Sequence, residues 1–145
     1  MAEKKPQTFA NHVRFDPLFH FFLVPIFALS TLAAVVLFLW HPSLHSGWHF
    51  VLIAAGTVAV TKMRLYALKV QDRVIRLEER LRLASLLPEP LRSRIPELAE
   101  GQLIALRFAS DAEVPKLAER ALSEKLSKAD IKKAIQNWRP DYWRV

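Results

Sequence analysis

A stretch of 45 residues without a charged side chain constrains this chain more than any other feature. No Asp, Glu, Lys or Arg occurs from Pro17 to Thr61, in a chain of 145 residues. A helix needs about 20 apolar residues to cross the hydrocarbon core of a bilayer, which is about 30 Å thick. The stretch has room for two apolar helices, and the core of so short a soluble protein would be too small to bury them.

The first apolar segment, Leu18 to Trp40, is predicted to be a transmembrane helix that is retained as an anchor. At 23 residues it is longer than a typical cleaved signal, and no small-residue cleavage site follows it closely. Asp16 is expected to cap the free N–H groups of the first turn, with Pro17 at the first helical position. Pro25 is expected to bend the helix, because it cannot donate a hydrogen bond to the preceding turn.

The second apolar segment, Trp48 to Thr61, is predicted to return through the membrane after a turn at residues 41–47. The segment is short for a bilayer, so either the first helix bends or Lys62 and Arg64 extend toward the headgroups. Small residues are expected to form the contact between the two helices, because they allow close backbone approach. They are Ser30 and Ala34 in the first helix and Ala55 and Ala59 in the second.

Basic residues flank this predicted hairpin and are absent from its turn, which indicates that both termini are cytoplasmic. Residues 1–16 then form an N-terminal arm, and the protein is expected to be a multi-pass protein of the bacterial inner membrane. Lys62, Arg64 and Lys69 are candidates for contacts with lipid headgroups, or they simply set the topology. The flanking cations are Lys4, Lys5, Arg14, Lys62, Arg64, Lys69 and Arg73.

No Pro or Gly interrupts the chain from Thr57 to Leu87, so the second helix is predicted to continue as a cytoplasmic stalk over residues 62–87. Apolar residues recur along it at alternating steps of four and three, the a/d pattern of a coiled coil. Either a second copy of this helix or the chain's own C-terminal segment is expected to cover them. This heptad stripe consists of Met63, Ala67, Val70, Val74, Leu77, Leu81 and Ala84.

Two ion pairs at i, i+4 spacing are expected along the stalk. They join Asp72 with Arg76 and Glu78 with Arg82. Exposed helical pairs of this kind contribute only about 0.3–0.5 kcal/mol each. They are therefore predicted to form a solvated face and not to organise the stalk.

Residues 88–145 are predicted to form a small cap of short helices followed by a tail. Pro88 ends the stalk, because proline disfavours helix at the residue before it. One short helix is expected within residues 96–108. A cap of about 55 residues is marginal by itself, so it is expected to dock on the stalk or on a partner.

Two further helices are expected in the cap. Residues 110–113 have the pattern of a capping box and predict a helix through about Ser123. Ser127 is expected to cap a last helix, which continues to Trp138 and ends at Arg139-Pro140.

Three stretches of the chain are distinctive. Residues 11–21 include an Asn-His-x-Arg-Phe motif, residues 69–82 lie in the stalk, and residues 137–142 read Asn-Trp-Arg-Pro-Asp-Tyr. Together they resemble an uncharacterised bacterial family of small two-span membrane proteins, a domain of unknown function, over nearly the whole chain. The resemblance implies an all-α fold with a two-helix transmembrane hairpin and a helical cytoplasmic tail. It implies no activity, substrate or site residue.

Histidines are the only candidates for cofactor or metal chemistry. His20 lies in a Phe-rich apolar segment, so it needs a hydrogen bond, an interfacial position or a role as axial ligand of a haem or chlorophyll-type pigment. His41, His45 and His49 stand four apart at the outer end of the hairpin and either face water or hold a metal. No cofactor other than a pigment or haem is predicted.

The composition excludes several classes of protein. The absence of cysteine excludes disulfide scaffolds, thiol nucleophiles and thiolate metal sites. Three scattered glycines do not form a phosphate-binding loop. The formal net charge is +7, but acids lie beside the basic residues of the last predicted helix, so no nucleic-acid partner is expected.

The sequence therefore predicts a non-catalytic membrane protein, an accessory or assembly subunit of a larger membrane complex such as a respiratory or photosynthetic one. Its expected partners are membrane lipids, other integral membrane subunits or a second copy, and a cytoplasmic protein surface. The alternative is an autonomous homo-oligomeric scaffold or sensor assembled through the stalk. An enzyme or transporter would need a polar cluster within the spans, where only His20, Ser30, Thr31 and Thr57 are available.

Overall fold

A computed structural model describes residues 6–13 and 15–141, and their regular structure is entirely helical, which confirms the all-α prediction. Two compact units result: residues 6–13 with residues 70–141, called the cap unit below, and residues 15–69. Arg14 and Tyr142, which belong to two of the motifs, lie outside the described residues. The helices are a π-helical turn Phe19–Leu23, α1 Val24–Trp40, α2 Leu44–Leu86, a 3₁₀ helix Arg92–Glu97, α3 Glu100–Leu106, α4 Val114–Ser123 and α5 Lys128–Ala134.

The first apolar helix begins as predicted. The Phe19 N–H donates to Oδ1 of Asp16 at 3.2 Å, so the aspartate caps the first turn. Before Pro25 the helix widens into the π-helical turn, where the Val24 N–H donates to the Phe19 carbonyl. Proline has no N–H, and its ring crowds the carbonyl four residues earlier. The wider turn accommodates Pro25 where the sequence predicted a bend.

The connection between the two apolar helices is shorter than predicted. α2 begins at Leu44, so residues 41–43 alone join it to α1, and the predicted turn over residues 41–47 is wrong. Two serines explain the early start. Oγ of Ser43 accepts the Ser46 N–H at 3.1 Å, and Oγ of Ser46 accepts the Ser43 N–H at 3.0 Å.

This early start also changes the length of the second apolar segment. The uncharged part of α2 runs over residues 44–61, which is about 27 Å of helix. The predicted 48–61 segment was only about 21 Å long. The uncharged part of the second helix is therefore closer to the thickness of a bilayer core than the sequence indicated.

Both glycines of α2 are packing positions and not helix breakers. A Cβ at Gly47 would lie 3.3 Å from a ring carbon of Phe38, and a Cβ at Gly56 would lie 3.0 Å from a ring carbon of Phe27. Each phenylalanine belongs to α1, so both glycines allow an aromatic ring of α1 to rest against the α2 backbone. Close approach of this kind is the usual role of glycine between apolar helices.

The contact between α1 and α2 differs in part from the prediction. The hydroxyl groups of Thr31 and Thr57 lie 3.1 Å apart and form a hydrogen bond between the helices. Ala34 is buried, as predicted, whereas Ala55 and Ala59 are exposed. Small side chains occur on several faces of α2, so their size alone did not identify the face that contacts α1.

The cap unit is built on one face of α2. Ile75, Glu79, Leu83 and Leu87 follow one another at four-residue spacing, and all four are buried. We call them the cap-facing stripe. Leu83 and Leu87 join the main hydrophobic core, whose other members include Ile95, Leu98, Leu103, Leu106, Phe108, Val114, Leu117, Ala118, Ala121, Ile131 and Ile135. The cap therefore packs against one face of the stalk.

The first two predicted cap helices differ in their bounds. The segment 96–108 is divided into a 3₁₀ helix that contains Pro96 and the short helix α3. The predicted capping box at residues 110–113 is wrong, since α4 begins at Val114. The Glu113 carboxylate accepts hydrogen bonds from the backbone N–H of Asn137 at 3.1 Å and from its Nδ2 at 3.0 Å, so it does not cap its own helix.

The last helix is correctly capped but shorter than predicted. Oγ of Ser127 accepts the Asp130 N–H at 3.2 Å, as expected. The helix ends at Ala134 and does not reach Trp138. Instead, Trp138 forms an isolated antiparallel bridge with Ala109, and the Arg139 N–H donates to the Phe108 carbonyl at 2.7 Å. Pairing with residues 108–110 thus replaces the last predicted helical turn.

Both predicted i, i+4 ion pairs are wrong. Arg76 pairs with Glu100, and its Nε donates to the backbone carbonyl of Asp72. Arg82 pairs with Glu79 and with Asp111. Both arginines point to the cap, and this leaves Glu78 exposed on the stalk.

Truncating the cap-facing stripe should destabilise the protein far more than truncating the heptad stripe. Leu83 is 0% exposed and Leu81 is 66% exposed. We expect Leu83→Ala to lower the unfolding free energy of the full chain in detergent by about 3 kcal/mol, because it leaves a cavity in the core. At a dilution where the chain is monomeric, Leu81→Ala should cost less than about 0.5 kcal/mol. Equal losses in denaturant titrations would contradict this packing.

Candidate functional site

The heptad stripe lies on a different face of α2 from the cap-facing stripe. Its members occupy positions a and d of the heptad, whereas Ile75, Glu79 and Leu83 occupy positions b, f and c. In a coiled coil those three positions normally face water. Here the cap covers them, so the helix has a covered face and a second apolar face that the cap does not use.

The heptad stripe is exposed along its length. Met63, Leu77 and Leu81 are 72%, 61% and 66% exposed, and the remaining members are also exposed. Residues 88–141 therefore do not cover its members from Val70 to Ala84, which removes the predicted alternative for that part of the stripe. A contiguous row of large apolar side chains on a surface marks a site of interaction with a protein or a membrane.

A groove of ≈ 890 Å³ borders the stripe within the cap unit. Its α2 wall includes Val74 and Leu81 of the stripe together with Glu78, and its far wall is formed by residues 139–141. The groove is therefore continuous with the exposed stripe. It widens this face of the helix and adds charged groups to an apolar surface.

A buried ion pair fixes the cap beneath this groove. Glu79 is only 3% exposed, and its Oε1 accepts a hydrogen bond from Nη1 of Arg82 at 2.9 Å. Arg82 also donates to the Ala109 carbonyl at 2.7 Å and to Asp111 Oδ1 at 2.6 Å. One arginine therefore connects α2 to the segment between α3 and α4. A buried carboxylate held by a guanidinium in this way has a structural role.

Burial and charge act on the two carboxylates in opposite directions. Burial raises the pKa of Glu79, although the neighbouring guanidinium groups of Arg82, Arg139 and Arg107 oppose the shift. The hydrogen bond from Arg82 lowers the pKa of the exposed Asp111. Ionisation of the buried Glu79 is therefore the step that costs free energy in this network.

The N-terminal arm packs on the cap unit through two sets of contacts. The side-chain amide of Gln7 donates to the Asp141 carbonyl at 3.1 Å and accepts the Asp141 N–H at 2.8 Å. His12 Nδ1 lies 2.7 Å from the Phe9 carbonyl, so this nitrogen is the donor. His12 Nε2 then accepts from Lys132 Nζ at 2.8 Å.

Aromatic packing completes this contact. The His12 ring lies 5.8 Å from the Phe108 ring and 5.6 Å from the Trp138 ring, measured between centroids. The described parts of the first and last sequence motifs therefore meet. Sequence reasoning missed this contact, and the only signal for it was that both motifs are distinctive while neither has an obvious local role.

The structure gives His20 a local role. Its Nδ1 lies 2.9 Å from the Asp16 carbonyl, and its ring packs edge-on against Phe15 and Phe19 with centroid distances of 5.2 and 5.1 Å. This matches the hydrogen-bonded alternative for His20, and its interfacial position stays a prediction. A haem or pigment at His20 stays a prediction.

The histidines His41, His45 and His49 are only partly brought together. The rings of His45 and His49 lie 4.5 Å apart on the first turns of α2, whereas His41 follows the end of α1. The described part of the chain contains no cluster of three or more His, Asp or Glu side chains that could hold a metal.

The predicted lipid-binding cations have different surroundings. Arg64 Nη1 lies 3.7 Å from Asp16 Oδ2, and its guanidinium lies over the Phe19 ring at 5.4 Å. Lys62 Nζ lies 5.9 Å from the Tyr66 ring centroid, and Lys69 is exposed. Arg64 therefore links the start of the first helix to α2, and headgroup contacts stay a prediction for all three.

Comparison with known proteins identifies a family. The match is to a family of unknown function, DUF6526, and it covers residues 1–145. No curated protein and no solved structure matches the chain. The family description names no activity or ligand, so function has to be inferred from the contacts described above.

Removing the cation of the buried pair should destabilise the cap. In Arg82→Met, Glu79 stays buried without its ion partner, and we expect a loss of about 3 kcal/mol in unfolding free energy. The neighbouring Arg80 is exposed, so Arg80→Met should cost less than about 0.5 kcal/mol. Denaturant unfolding of both full-length variants measures the difference. A small and equal effect of both substitutions would contradict the role of Arg82.

Glu79 should make stability depend on pH in a defined direction. Because burial raises its pKa above the ordinary value of 4.5, the folded state holds a proton that the unfolded state has lost. Its contribution is present in full below about pH 4.5 and is lost as pH rises through the folded pKa. Glu79→Gln should remove this decline. Parallel curves of unfolding free energy against pH for the two proteins would refute the assignment.

Proposed function

We propose that this chain, which belongs to the family of unknown function DUF6526, is a non-catalytic integral membrane protein that acts as an accessory or assembly subunit of a larger complex. In this proposal two helices anchor it as a hairpin in the bacterial inner membrane. The cytoplasmic part of α2 then presents the heptad stripe to a protein partner. The exposed stripe is the observation that carries the proposal.

Two observations support membrane insertion. The helices Phe19–Trp40 and Leu44–Leu86 are long and apolar enough to cross a membrane by length and composition. Only 6% and 0% of their most apolar windows are buried inside the protein, unlike the core helices of a soluble protein. Lipid would provide the apolar surroundings that these exposed side chains lack.

The packing of the arm supports a hairpin topology. The arm precedes the first apolar helix, and residues 70–141 follow the apolar part of the second, yet both belong to one compact unit. The contacts of Gln7 with Asp141 and of His12 with Lys132 therefore support an arrangement with both ends on the same side of the membrane. Two crossings give this arrangement, and the positive flanks favour the cytoplasmic side.

The exposed stripe supports a role in protein association. Its apolar residues have no cover from residues 88–141, and the stalk moves away from the proposed membrane at 1.5 Å per residue. Residues such as Leu77 and Leu81 lie more than ten positions beyond Thr61, the last residue of the uncharged segment. Lipid therefore cannot cover them all, and a protein surface can.

Purification from native membranes in mild detergent tests the proposal. The native chain should elute and be weighed in an assembly heavier than its own 16.7 kDa. A Leu77→Glu/Leu81→Glu variant should be released from that assembly, because it places two charges on the stripe. The matched control is Ala129→Glu on the exposed surface of α5, which should leave the assembly intact. Recovery of the native chain as a lone monomer would overturn the proposal.

A further inference from the structure

We infer that the partner on the heptad stripe is a second copy of this chain, paired as a parallel and in-register two-stranded coiled coil. This inference rests on the proposed function, because anchoring in one membrane with one topology gives the two stalks the same direction. It goes further by naming the chain that covers the heptad stripe and the residues that set the register of the two helices.

The residues of the stripe favour two strands. Ala67, Val74 and Leu81 occupy a positions, and Val70, Leu77 and Ala84 occupy d positions. The central layers therefore combine a β-branched valine at a with a leucine at d, a combination typical of parallel dimers. The large side chains among them, Val70, Val74, Leu77 and Leu81, are exposed, so a second helix meets an open surface.

The charges beside the stripe favour the same arrangement. Arg73 and Arg80 occupy g positions, and Glu78 occupies an e position. In a parallel dimer each g residue faces the e residue of the next heptad on the other helix, so Arg73 faces Glu78 of the second copy. Two such pairs form, one on each side of the dimer.

Both groups are available for this pairing. Arg73 and Glu78 are exposed, and neither forms an ion pair with another described residue. Glu78 is available because Arg82, its predicted i, i+4 partner, is held by Glu79 and Asp111. The cap thereby frees the acidic group that the second copy would use.

An antiparallel arrangement is disfavoured by the same charges. There, g residues face g residues, which would bring Arg73 of one copy toward Arg80 of the other. Like charges in such positions repel and select against the wrong orientation. The charge pattern and the anchoring therefore agree on a parallel dimer.

The groove lies where the second helix would pass. Its α2 wall consists of a, b, e and f positions, and Gln71, Glu78 and Ser85 form the e row along it. In the parallel dimer, arginines at g positions of the second copy lie above this row. The second copy would thus contribute side chains to a groove that one chain leaves open.

Single cysteines test the pairing directly, because the chain contains no cysteine of its own. Leu77→Cys at a d position should form a disulfide-linked product of twice the chain mass in native membranes under mild oxidation. Lys69→Cys, at an outer c position, should not form one, since c residues of the two helices face away from each other. Leu77 is exposed, so the substitution leaves the core unchanged.

Three results can follow from this experiment, and they separate this inference from the proposed function. A doubled mass only for Leu77→Cys supports the second copy. An adduct with a polypeptide of another mass overturns the second copy and keeps the proposed docking role. No adduct from Leu77→Cys overturns the second copy, and the purification experiment above then decides the docking role, because a partner without a cysteine forms no disulfide.

Charge exchange tests the register. Arg73→Glu and Glu78→Arg should each weaken dimerisation about tenfold, because each turns two attractive pairs into repulsive ones. The double variant Arg73→Glu/Glu78→Arg should restore dimerisation to near the native level in sedimentation measurements. A double variant weaker than either single variant would overturn the proposed register.

Discussion

The burial of Ile75, Glu79, Leu83 and Leu87 against the cap determines how the rest of this molecule is arranged. These residues follow a four-residue spacing along α2, and two leucines among them enter the main hydrophobic core. A cap of this size buries little apolar surface and is marginal alone. By including one face of a long helix in its core, it gains that surface and at the same time fixes which face of the stalk stays open.

The N-terminal arm, at the other end of the chain, is also held by contacts with the cap unit. Gln7 pairs with the backbone of Asp141, and the neutral His12 ring accepts from Lys132 while it packs between aromatic rings. Residues before the first apolar helix are thus held by residues far beyond the second. This contact supports the proposed hairpin, in which both ends lie in the same compartment.

Local patterns predicted much of the fold. The uncharged stretch, the cap at Asp16, the long second helix and the Ser127 cap all depend on residues near one another in sequence, and the structure confirms them. The errors arose where distant groups competed. Glu113 binds Asn137 and does not cap α4, and Arg82 binds Glu79 and Asp111 instead of Glu78. Ser43 and Ser46 form a reciprocal cap that the neighbouring Pro42 and Gly47 obscured.

The residues of the candidate site could be predicted from the sequence, but whether they are covered or exposed could not. The a/d spacing identified the heptad stripe, yet spacing alone does not say whether the cap or another chain covers it. The second stripe was hidden because Glu79 interrupts an otherwise apolar row, and a charged residue on a helix normally indicates a solvated face. Glu79 is held by Arg82 on the same helix, and the long-range contacts of Arg82 with Ala109 and Asp111 connect this face to the cap.

Cysteine labelling along residues 70–87 measures most directly whether α2 has one covered face and one open face. Single-cysteine variants of the full chain would be labelled with a maleimide in detergent, at a dilution where the chain is monomeric. We expect slow labelling at 75, 79, 83 and 87 and fast labelling at 74, 77 and 81. Fast labelling at 79 and 83 together with protection at 77 and 81 would contradict this arrangement.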